Sequence, residues 1–219
     1  YGHARALHDV SLRLKRGETS FIIGRNGAGK TTLLKTVTGL LKPLKGSITY
    51  EGREISGLSP EKISLGGIRY VAQEKRVFGN LTVRENIELA AYGTGEPMER
   101  ALERVVGLYP KIGKFLKTKA GQLSGGQRQI LLIGRALVGD PKFLLSDEPT
   151  EGLAASVIED VTAILTGMKG RVSAMIVEQY LSLVDRLSDR IFIMKEGKVQ
   201  REISDRSALS DTRTLEQYL

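Results

Sequence analysis

Gly24-Arg25-Asn26-Gly27-Ala28-Gly29-Lys30-Thr31-Thr32 is the stretch of the sequence that decides the fold. It follows the apolar run Phe21-Ile22-Ile23 and precedes a helical pattern from Lys30 to about Leu40. The stretch matches the phosphate-binding pattern G-x-x-x-x-G-K-[ST] in the strand–loop–helix context that this pattern requires. Glycines let backbone N–H groups surround an anion, and the positive end of the following helix points at the same place. The sequence therefore predicts a nucleotide-binding protein.

Two side chains of this loop have predicted roles. Lys30 would reach the β- and γ-phosphates, and the Thr31 hydroxyl would ligate Mg²⁺. The alternative is a glycine-rich loop that fits the pattern by chance, since the chain contains 25 glycines. The strand before the loop and the helix after it favour the nucleotide site.

Composition limits the class of protein. At 219 residues, the chain predicts one large domain or a domain with a lobe. The absence of cysteine excludes disulfides and thiolate metal sites and is consistent with a cytosolic protein. No apolar run approaches the roughly 18 residues that a membrane span needs. The net charge of +8 would suit nucleic acid or an anionic membrane, but the basic residues are scattered among acids, which favours a generally solvated surface.

Strand and helix patterns alternate along most of the chain. Alternating apolar residues at Leu7, Val10, Leu12 and Leu14 predict a half-buried strand and hairpin before the phosphate-loop strand. Further strands are predicted at 47–52, 68–72, 143–145, 172–177, 191–194 and 198–203, and helices at 125–137, 155–168 and 180–187. The alternation predicts an α/β P-loop NTPase core: a mainly parallel sheet, helices on both faces and an N-terminal antiparallel β portion.

The pattern changes between about residues 79 and 122. A capping box at Thr82-Val83-Arg84-Glu85 opens a helix through Ala91, and Pro97 starts another through about Leu108. Strand-like runs are missing from this region of the sequence. We expect a single domain over 1–219, with a core of roughly 1–78 and 123–219 and a helical subdomain of roughly 79–122.

A second signal is the carboxylate pair that follows Phe143-Leu144-Leu145-Ser146. Asp147 would hold the metal, directly or through water, and Glu148 would orient and deprotonate the attacking water. By itself such a pair is equally consistent with a solvated turn. We expect it beside the phosphate loop on a neighbouring strand, and that location favours the catalytic interpretation.

A third signal is Leu123-Ser124-Gly125-Gly126-Gln127. Ser124 and Gln127 have the spacing of a capping box, so one interpretation is simply a well-capped helix. However, each glycine in a first helical turn costs about 1 kcal/mol relative to alanine. The two glycines therefore indicate that something approaches this backbone closely, and a helix N-terminus with a free hydroxyl suits an anion.

Leu123–Gln127 is identical to the signature motif of ABC-type ATPases, which the chain resembles over essentially its whole length. Gly24–Thr31, Gln73 and Asp147-Glu148 occur in the family's order. The resemblance implies that two cassettes pack head to tail. Each ATP, with its Mg²⁺, would lie between residues 24–32 of one cassette and Ser124, Gly125, Gly126 and Gln127 of the other.

The resemblance also implies roles for isolated residues. Gln73 would contact Mg²⁺ and water and sense the transmembrane partner, whose coupling helix would dock in the groove near Phe78. Tyr1 matches the aromatic residue that stacks on adenine, although a frayed terminal tyrosine is the alternative. Two positions depart from the family: Gln179 replaces a histidine that contacts the γ-phosphate, and Ala154 replaces an aspartate. Glutamine still donates a hydrogen bond but carries no proton or charge, so Glu148 must suffice as the base.

The stretches Val177-Glu178-Gln179 and Glu148–Leu153 resemble the ATPase subunits of branched-chain amino-acid importers, with urea and short-chain amide importers as close relatives. The implied protein is an ATP-hydrolysing subunit on the cytoplasmic face of the inner membrane. Its expected partners are a second ATPase subunit, identical or not, transmembrane permease subunits and an extracytoplasmic solute-binding protein.

Three other functions remain open at this point. One is an exporter with separate ATPase subunits, and another is a nucleotide-gated module with little activity, suggested by Gln179 and Ala154. The third is an ABC ATPase that acts on nucleic acid or ribosomes. Such proteins usually carry a long coiled coil or two cassettes, and because this chain has neither, no nucleic acid is expected.

Overall fold

The computed structural model describes residues 5–205 and 215–219. These residues form eight strands and seven α-helices. The strands are β1 (Thr19–Ile23), β2 (Thr49–Tyr50), β3 (Arg53–Glu54), β4 (Ile68–Val71), β5 (Phe143–Asp147), β6 (Ser173–Val177), β7 (Arg190–Lys195) and β8 (Lys198–Ile203). The helices are α1 (Lys30–Val37), α2 (Pro60–Leu65), α3 (Val83–Thr94), α4 (Met98–Leu108), α5 (Gly125–Leu137), α6 (Ala155–Met168) and α7 (Leu181–Leu187). Two 3₁₀ segments, Pro110–Phe115 and Ala120–Gln122, lie between α4 and α5.

Six strands form one sheet in the order β4-β5-β6-β1-β7-β8. Every neighbouring pair is parallel except β7 and β8, which form an antiparallel hairpin. β2 and β3 form a separate antiparallel pair. A mainly parallel α/β sheet with a small antiparallel portion confirms the predicted P-loop NTPase fold class.

The central strand β1 is buried on both faces. Phe21 and Ile23 belong to the apolar cluster that contains residues of α5, α6 and α7, whereas Ile22 belongs to the cluster that contains residues of α1 and α2. A continuous apolar run such as Phe21-Ile22-Ile23 is typical of a parallel strand covered by helices on both sides. The position of the first residue of the following loop is therefore fixed by the packing of β1 on both faces.

The prediction that β5 lies next to β1 is wrong, because β6 separates them. The register nevertheless brings their ends together: Asp147 pairs with Val177, and Val177 pairs with Ile22. Parallel strands joined by crossover helices need not be neighbours in the sheet, and the sequence contains no signal for their order.

The predicted N-terminal strand is also absent, since residues 5–18 form no strand in the part of the chain that the structure describes. Leu7, Val10, Leu12 and Leu14 still pack against the cluster of α1 and α2. Their alternation marks a half-buried face correctly, but a strand also needs a partner for its backbone. Between residues 7–14 and the rest of the described chain, the structure gives one backbone hydrogen bond, from the His8 amide to the Gly197 carbonyl, at 2.7 Å.

Two other predicted elements are shorter than expected. The strand predicted over 47–52 is limited to Thr49–Tyr50, because Glu51 and Gly52 form a turn with φ of 47° and 78°. Helix α1 ends at Val37 rather than near Leu40, and Gly39 follows with a φ of 75°, a conformation that favours glycine.

The helical region after β4 is pinned by polar contacts at its start. Thr82 and Glu85 form the expected capping box, with the Glu85 amide 3.2 Å from the Thr82 hydroxyl. The buried Asn86 side chain accepts from the Phe78 amide and donates to the Phe78 carbonyl. Val83 and Val105 belong to the same apolar cluster as Phe21, so α3 and α4 pack onto the core. Among the residues described, none of the helices has the length and apolar character of a membrane span.

Gly197→Ala is expected to lower the free energy of unfolding more than Gly52→Ala. Both glycines end a two-residue turn, with φ of 72° and 78°. An alanine there costs about 1–2 kcal/mol at either position. A Cβ at Gly197 would lie 2.4 Å from the Ala6 carbonyl oxygen, whereas one at Gly52 would meet nothing within 4 Å. Overpacking adds about 1–3 kcal/mol at Gly197 alone. Urea unfolding followed by circular dichroism measures both, and equal losses would contradict the close packing of this turn.

Candidate functional site

The loop between β1 and α1 needs its glycines for two different reasons. A Cβ at Gly24 would lie 2.2 Å from the Met194 carbonyl oxygen, so only glycine allows β7 to approach. At Gly27 a Cβ would meet nothing within 4 Å, and the requirement there is the φ of 81°. Gly29 caps α1 with a φ of 97°. The loop is thus held tightly on the sheet side and open on the other.

Lys30 is the first residue of α1, and its ammonium group crosses back over the loop. Its Nζ donates to the Gly24 carbonyl at 2.5 Å and to the Arg25 carbonyl at 3.2 Å. Burial lowers the pKa of Lys30, and the negative charges of Glu148 and Asp147 oppose this shift. The two carbonyl contacts hold the Lys30 ammonium over the loop, where its charge can pair with a phosphate.

Asp147 ends β5 with its side chain buried. The Tyr70 hydroxyl lies 3.3 Å from Oδ2, whereas Oδ1 has no hydrogen-bond partner among the described residues. Burial raises the pKa of this carboxyl, and the nearby Thr31 hydroxyl lowers it. An unpartnered carboxylate oxygen beside a hydroxyl fits a hard divalent cation such as Mg²⁺, which takes oxygen ligands.

Glu148 has a left-handed backbone, with a φ of 46°. Its amide donates to the Val177 carbonyl at 2.9 Å, which continues the β5–β6 pairing past the strand end. Its carboxylate accepts from the Gln73 side-chain amide at 3.2 Å and from that of Gln179 at 3.0 Å. The Gln179 amide nitrogen also lies 3.1 Å from Asn26 Oδ1 in the phosphate loop. The structure therefore places Gln73, Glu148 and Gln179 together beside the loop.

Gln73, Glu148 and Gln179 line a cleft of about 910 Å³. Its walls include residues 26–32, Gln73, Glu148, residues 150–153 and residues 178–180. Its volume falls in the range of small-molecule and cofactor sites, roughly 300–1,000 Å³.

The Ser124–Gln127 segment lies outside this cleft. It forms the predicted capping box, with Gln127 N 3.2 Å from Ser124 Oγ and Ser124 N 2.9 Å from Gln127 Oε1. It does not line the 910 Å³ cleft within the described part of the chain. The two glycines also differ, because a Cβ at Gly126 would lie 2.6 Å from Val157 Cγ1, whereas Gly125 faces open space. Packing against α6 therefore accounts for Gly126, and only Gly125 is left free for a close approach.

Sequence reasoning missed two buried polar residues, Glu178 and Thr150. The Glu178 carboxylate follows β6 and accepts from the Thr150 hydroxyl at 2.7 Å. Glu178 could have been identified from the sequence, because it is a carboxylate at the end of a buried strand, as Asp147 is. Tyr1, the predicted adenine-stacking residue, lies outside the described residues.

A second cleft, of about 520 Å³, lies between β4, α2 and the helical region. Its walls include Tyr70, Leu89 and Arg135. The Arg135 guanidinium carbon lies 4.8 Å from the centroid of the exposed Phe78 ring, a cation–π arrangement. A groove lined by apolar side chains together with Arg69, Arg76 and Arg135 is suited to a protein partner.

The chain is similar to known ATP-binding cassettes. The family model described as "ABC transporter" matches residues 7–151. The high-affinity branched-chain amino acid transport ATP-binding protein BraG of Pseudomonas aeruginosa is 37% identical over 100% of this chain and 95% of its own length. The probable branched-chain amino acid transport ATP-binding protein LivF of Archaeoglobus fulgidus is 34% identical over 91% of this chain and 86% of its own.

Solved structures of ATP-binding cassettes have a similar fold. A nucleotide-free ATP-binding cassette from an ABC transporter superposes with a TM-score of 0.86 at 28% identity, covering 100% of this chain and 94% of that one. A dimeric cassette in a post-hydrolysis state, bound to ADP and Pi, gives a TM-score of 0.81 at 28% identity, with coverage of 91% and 90%.

Gly126→Ala is expected to destabilise the protein by about 1–3 kcal/mol, because the new methyl group overlaps Val157. Gly125→Ala, its neighbour with open space, is the matched control and should leave the free energy of unfolding unchanged or slightly raised. In a double-mutant cycle, Val157→Ala should offset the loss with a coupling energy of about 1 kcal/mol or more. Additive effects in the cycle would contradict the proposed helix contact.

Proposed function

Since the chain belongs to the ABC transporter ATP-binding family, we propose that it powers the import of branched-chain amino acids through a membrane permease. It binds ATP and hydrolyses it. The observation that supports hydrolysis is the cluster of Gln73, Glu148 and Gln179 beside the phosphate loop in one cleft. The names of the relatives favour amino-acid import over urea import, export or action on nucleic acid.

Glu148 is the proposed general base. Its carboxylate is fixed by the Gln73 and Gln179 amides, which leaves it directed into the cleft over the loop. Residues 24–32 hold the phosphates through their backbone amides, and Lys30 adds a positive charge. Glu148 then orients a water molecule and removes its proton as the γ-phosphoryl group is transferred.

Thr31 and Asp147 are the proposed Mg²⁺ ligands, with Gln73 beside them. The unpartnered Oδ1 of Asp147 supports this assignment. When bound, the ion would neutralise negative charge on the β- and γ-phosphates. Gln179 is assigned a hydrogen bond to the γ-phosphate, because its amide lies against Asn26 of the phosphate loop. The phosphate would replace one of the two acceptors, Asn26 or Glu148, that the NH₂ group has here.

We assign Ser124, Gly125, Gly126 and Gln127 to the ATP site of a second copy. Within one copy these residues do not line the cleft, and the open face at Gly125 leaves their helix N-terminus accessible. A second cassette facing the cleft would bring its own Ser124 hydroxyl and helix end to the phosphates. Dimeric cassettes among the structural relatives support this arrangement.

The groove beside Phe78 and Arg135 is the proposed docking site for the permease, at the cytoplasmic face of the membrane. Its walls combine apolar and basic side chains, which supports docking of a protein partner. Its proximity to Gln73, two residues after β4, supports a link between docking and hydrolysis. A solute-binding protein outside the cell would complete an importer.

Glu148→Gln is expected to retain ATP binding and lose turnover by about 10²-fold or more, because the amide cannot accept the proton from water. With hydrolysis blocked, ATP should hold the protein as a dimer. Single-turnover hydrolysis and size-exclusion chromatography with ATP measure the two effects. A monomeric, fully active variant would contradict the assignment.

Gln179→Ala should reduce the single-turnover rate by less than about tenfold. The glutamine has no titratable proton, so its loss removes hydrogen bonds to Asn26 and Glu148 but not the base. The Gln73 amide and the backbone contacts of the loop still hold Glu148 in place. The same assay with Glu148→Gln as the reference compares the two residues. A loss as large as that of Glu148→Gln would contradict the assignment of Glu148 as the base and of Gln179 as a hydrogen-bond donor.

The imported solute is tested on the complete transporter. Membrane proteins that co-purify with this chain would be reconstituted with it in lipid vesicles. ATP-driven accumulation of leucine, isoleucine or valine is the expected result, and transport of urea or outward transport would overturn the proposed substrate.

A further inference from the structure

Glu178 is a buried carboxylate with an unusual set of partners. It follows β6 directly, and only 2% of its surface is exposed. Within residues 5–205 and 215–219, its charge is stabilised by four hydrogen bonds and not by a lysine or arginine. Burial raises the pKa of the Glu178 carboxyl, and these hydrogen bonds oppose the shift. A buried carboxylate is expensive unless it is fully hydrogen-bonded, so an apolar residue would serve packing better.

The two oxygens of Glu178 hold two different loops. Oε2 accepts from the Thr150 hydroxyl at 2.7 Å and from the Thr150 amide at 3.3 Å, in the loop after β5. Oε1 accepts from the amides of Gln179 and Tyr180, at 2.8 and 3.1 Å, in the loop after β6. The carboxylate is therefore a brace between the segment that carries Glu148 and the segment that carries Gln179.

This brace fixes a strained residue. Glu148 has a φ of 46°, a conformation that costs about 1–2 kcal/mol in a residue other than glycine and persists only where neighbouring contacts enforce it. One such contact is the Glu148 amide to Val177 on the β6 side. A second is the Glu151 amide, which donates to the Glu148 carbonyl at 3.2 Å. A third is Thr150, two residues later, which Glu178 holds through both its amide and its hydroxyl.

We propose that Glu178 is a positioning residue for ATP hydrolysis: by clamping Thr150 to the end of β6, it holds the Glu148 carboxylate between Gln73 and Gln179. This inference rests on the proposed role of Glu148. Glu178 lies at the wall of the cleft, but both of its carboxylate oxygens are occupied by donors of the protein itself, so it acts through Glu148.

Glu178→Gln tests the brace with almost no change in volume. Whichever way the amide is turned, its NH₂ faces two donors that lose their acceptor. We expect kcat to fall about tenfold or more, because a small misplacement of a catalytic group causes losses of this size. The KM for ATP should change less than about threefold, because the phosphate loop is intact. The matched control is Glu96→Gln, a partly buried glutamate that accepts from Gly139 and Arg104 and does not line the cleft. It should leave kcat within about twofold. A folded Glu178→Gln protein with unchanged kcat would overturn the proposal.

A second measurement separates positioning from a general loss of stability. In a Glu148→Ala background, Glu178→Gln should cause no further loss in the single-turnover rate, because there is no carboxylate left to position. Losses that multiply in the double variant would overturn the proposal.

Variants of Thr150 decide the question if Glu178→Gln does not fold. Thr150→Val removes only the hydroxyl donor and should lower kcat about threefold or more, and Thr150→Ser should restore it. An unchanged kcat in Thr150→Val would overturn the brace. If the unmodified protein does not hydrolyse ATP, the proposed function is wrong. If it does, and the Glu178 and Thr150 variants hydrolyse ATP at the same rate, only the positioning role of Glu178 is wrong.

Discussion

The in-register parallel pairing of β1, β6 and β5 is the constraint on which the site depends. Ile22 pairs with Val177, which pairs with Asp147, so three buried strands end at one edge of the sheet. Chemistry-bearing residues follow these ends directly: the phosphate loop after β1, Glu148 after β5 and Glu178 after β6. Ligands of open α/β sheets bind at this edge for the same reason. The residues of the cleft thus come together although more than 120 positions separate Gly24 from Glu148 in the chain.

Burial of charge determines how these residues are used. Among the described residues, one oxygen of Asp147 has no hydrogen-bond partner, which fits a cation ligand. Each oxygen of Glu178 has two donors, which suits a structural brace. Glu148 is less buried and accepts from two side-chain amides at the wall of the cleft. Three carboxylates at neighbouring strand ends therefore have different environments, and different roles are expected of them.

The sequence was sufficient for features that depend on local chemistry. The loop, the capping boxes at Thr82 and Ser124 and the carboxylates after β5 are encoded within a few residues, and the strand–helix alternation predicted the fold class. Features that depend on distant partners were not predictable. Periodicity could not order β6 between β1 and β5, and the alternation in residues 7–14 marked a buried face without revealing that it lacks a strand partner. Nor could the sequence show that Gly126 packs on Val157 or that Glu178 holds Thr150.

The central claim is that one chain supplies half of each ATP site. The absence of cysteine allows a direct test with single-cysteine variants. Arg25→Cys marks the exposed side of the phosphate loop, and Gly125→Cys marks the open start of α5. Both would be made in the Glu148→Gln protein, mixed, and treated with a short thiol-reactive cross-linker. We predict a covalent dimer of the two variants that forms with ATP and is weak without nucleotide. Cross-linking that is absent, or that is independent of ATP, would contradict the account.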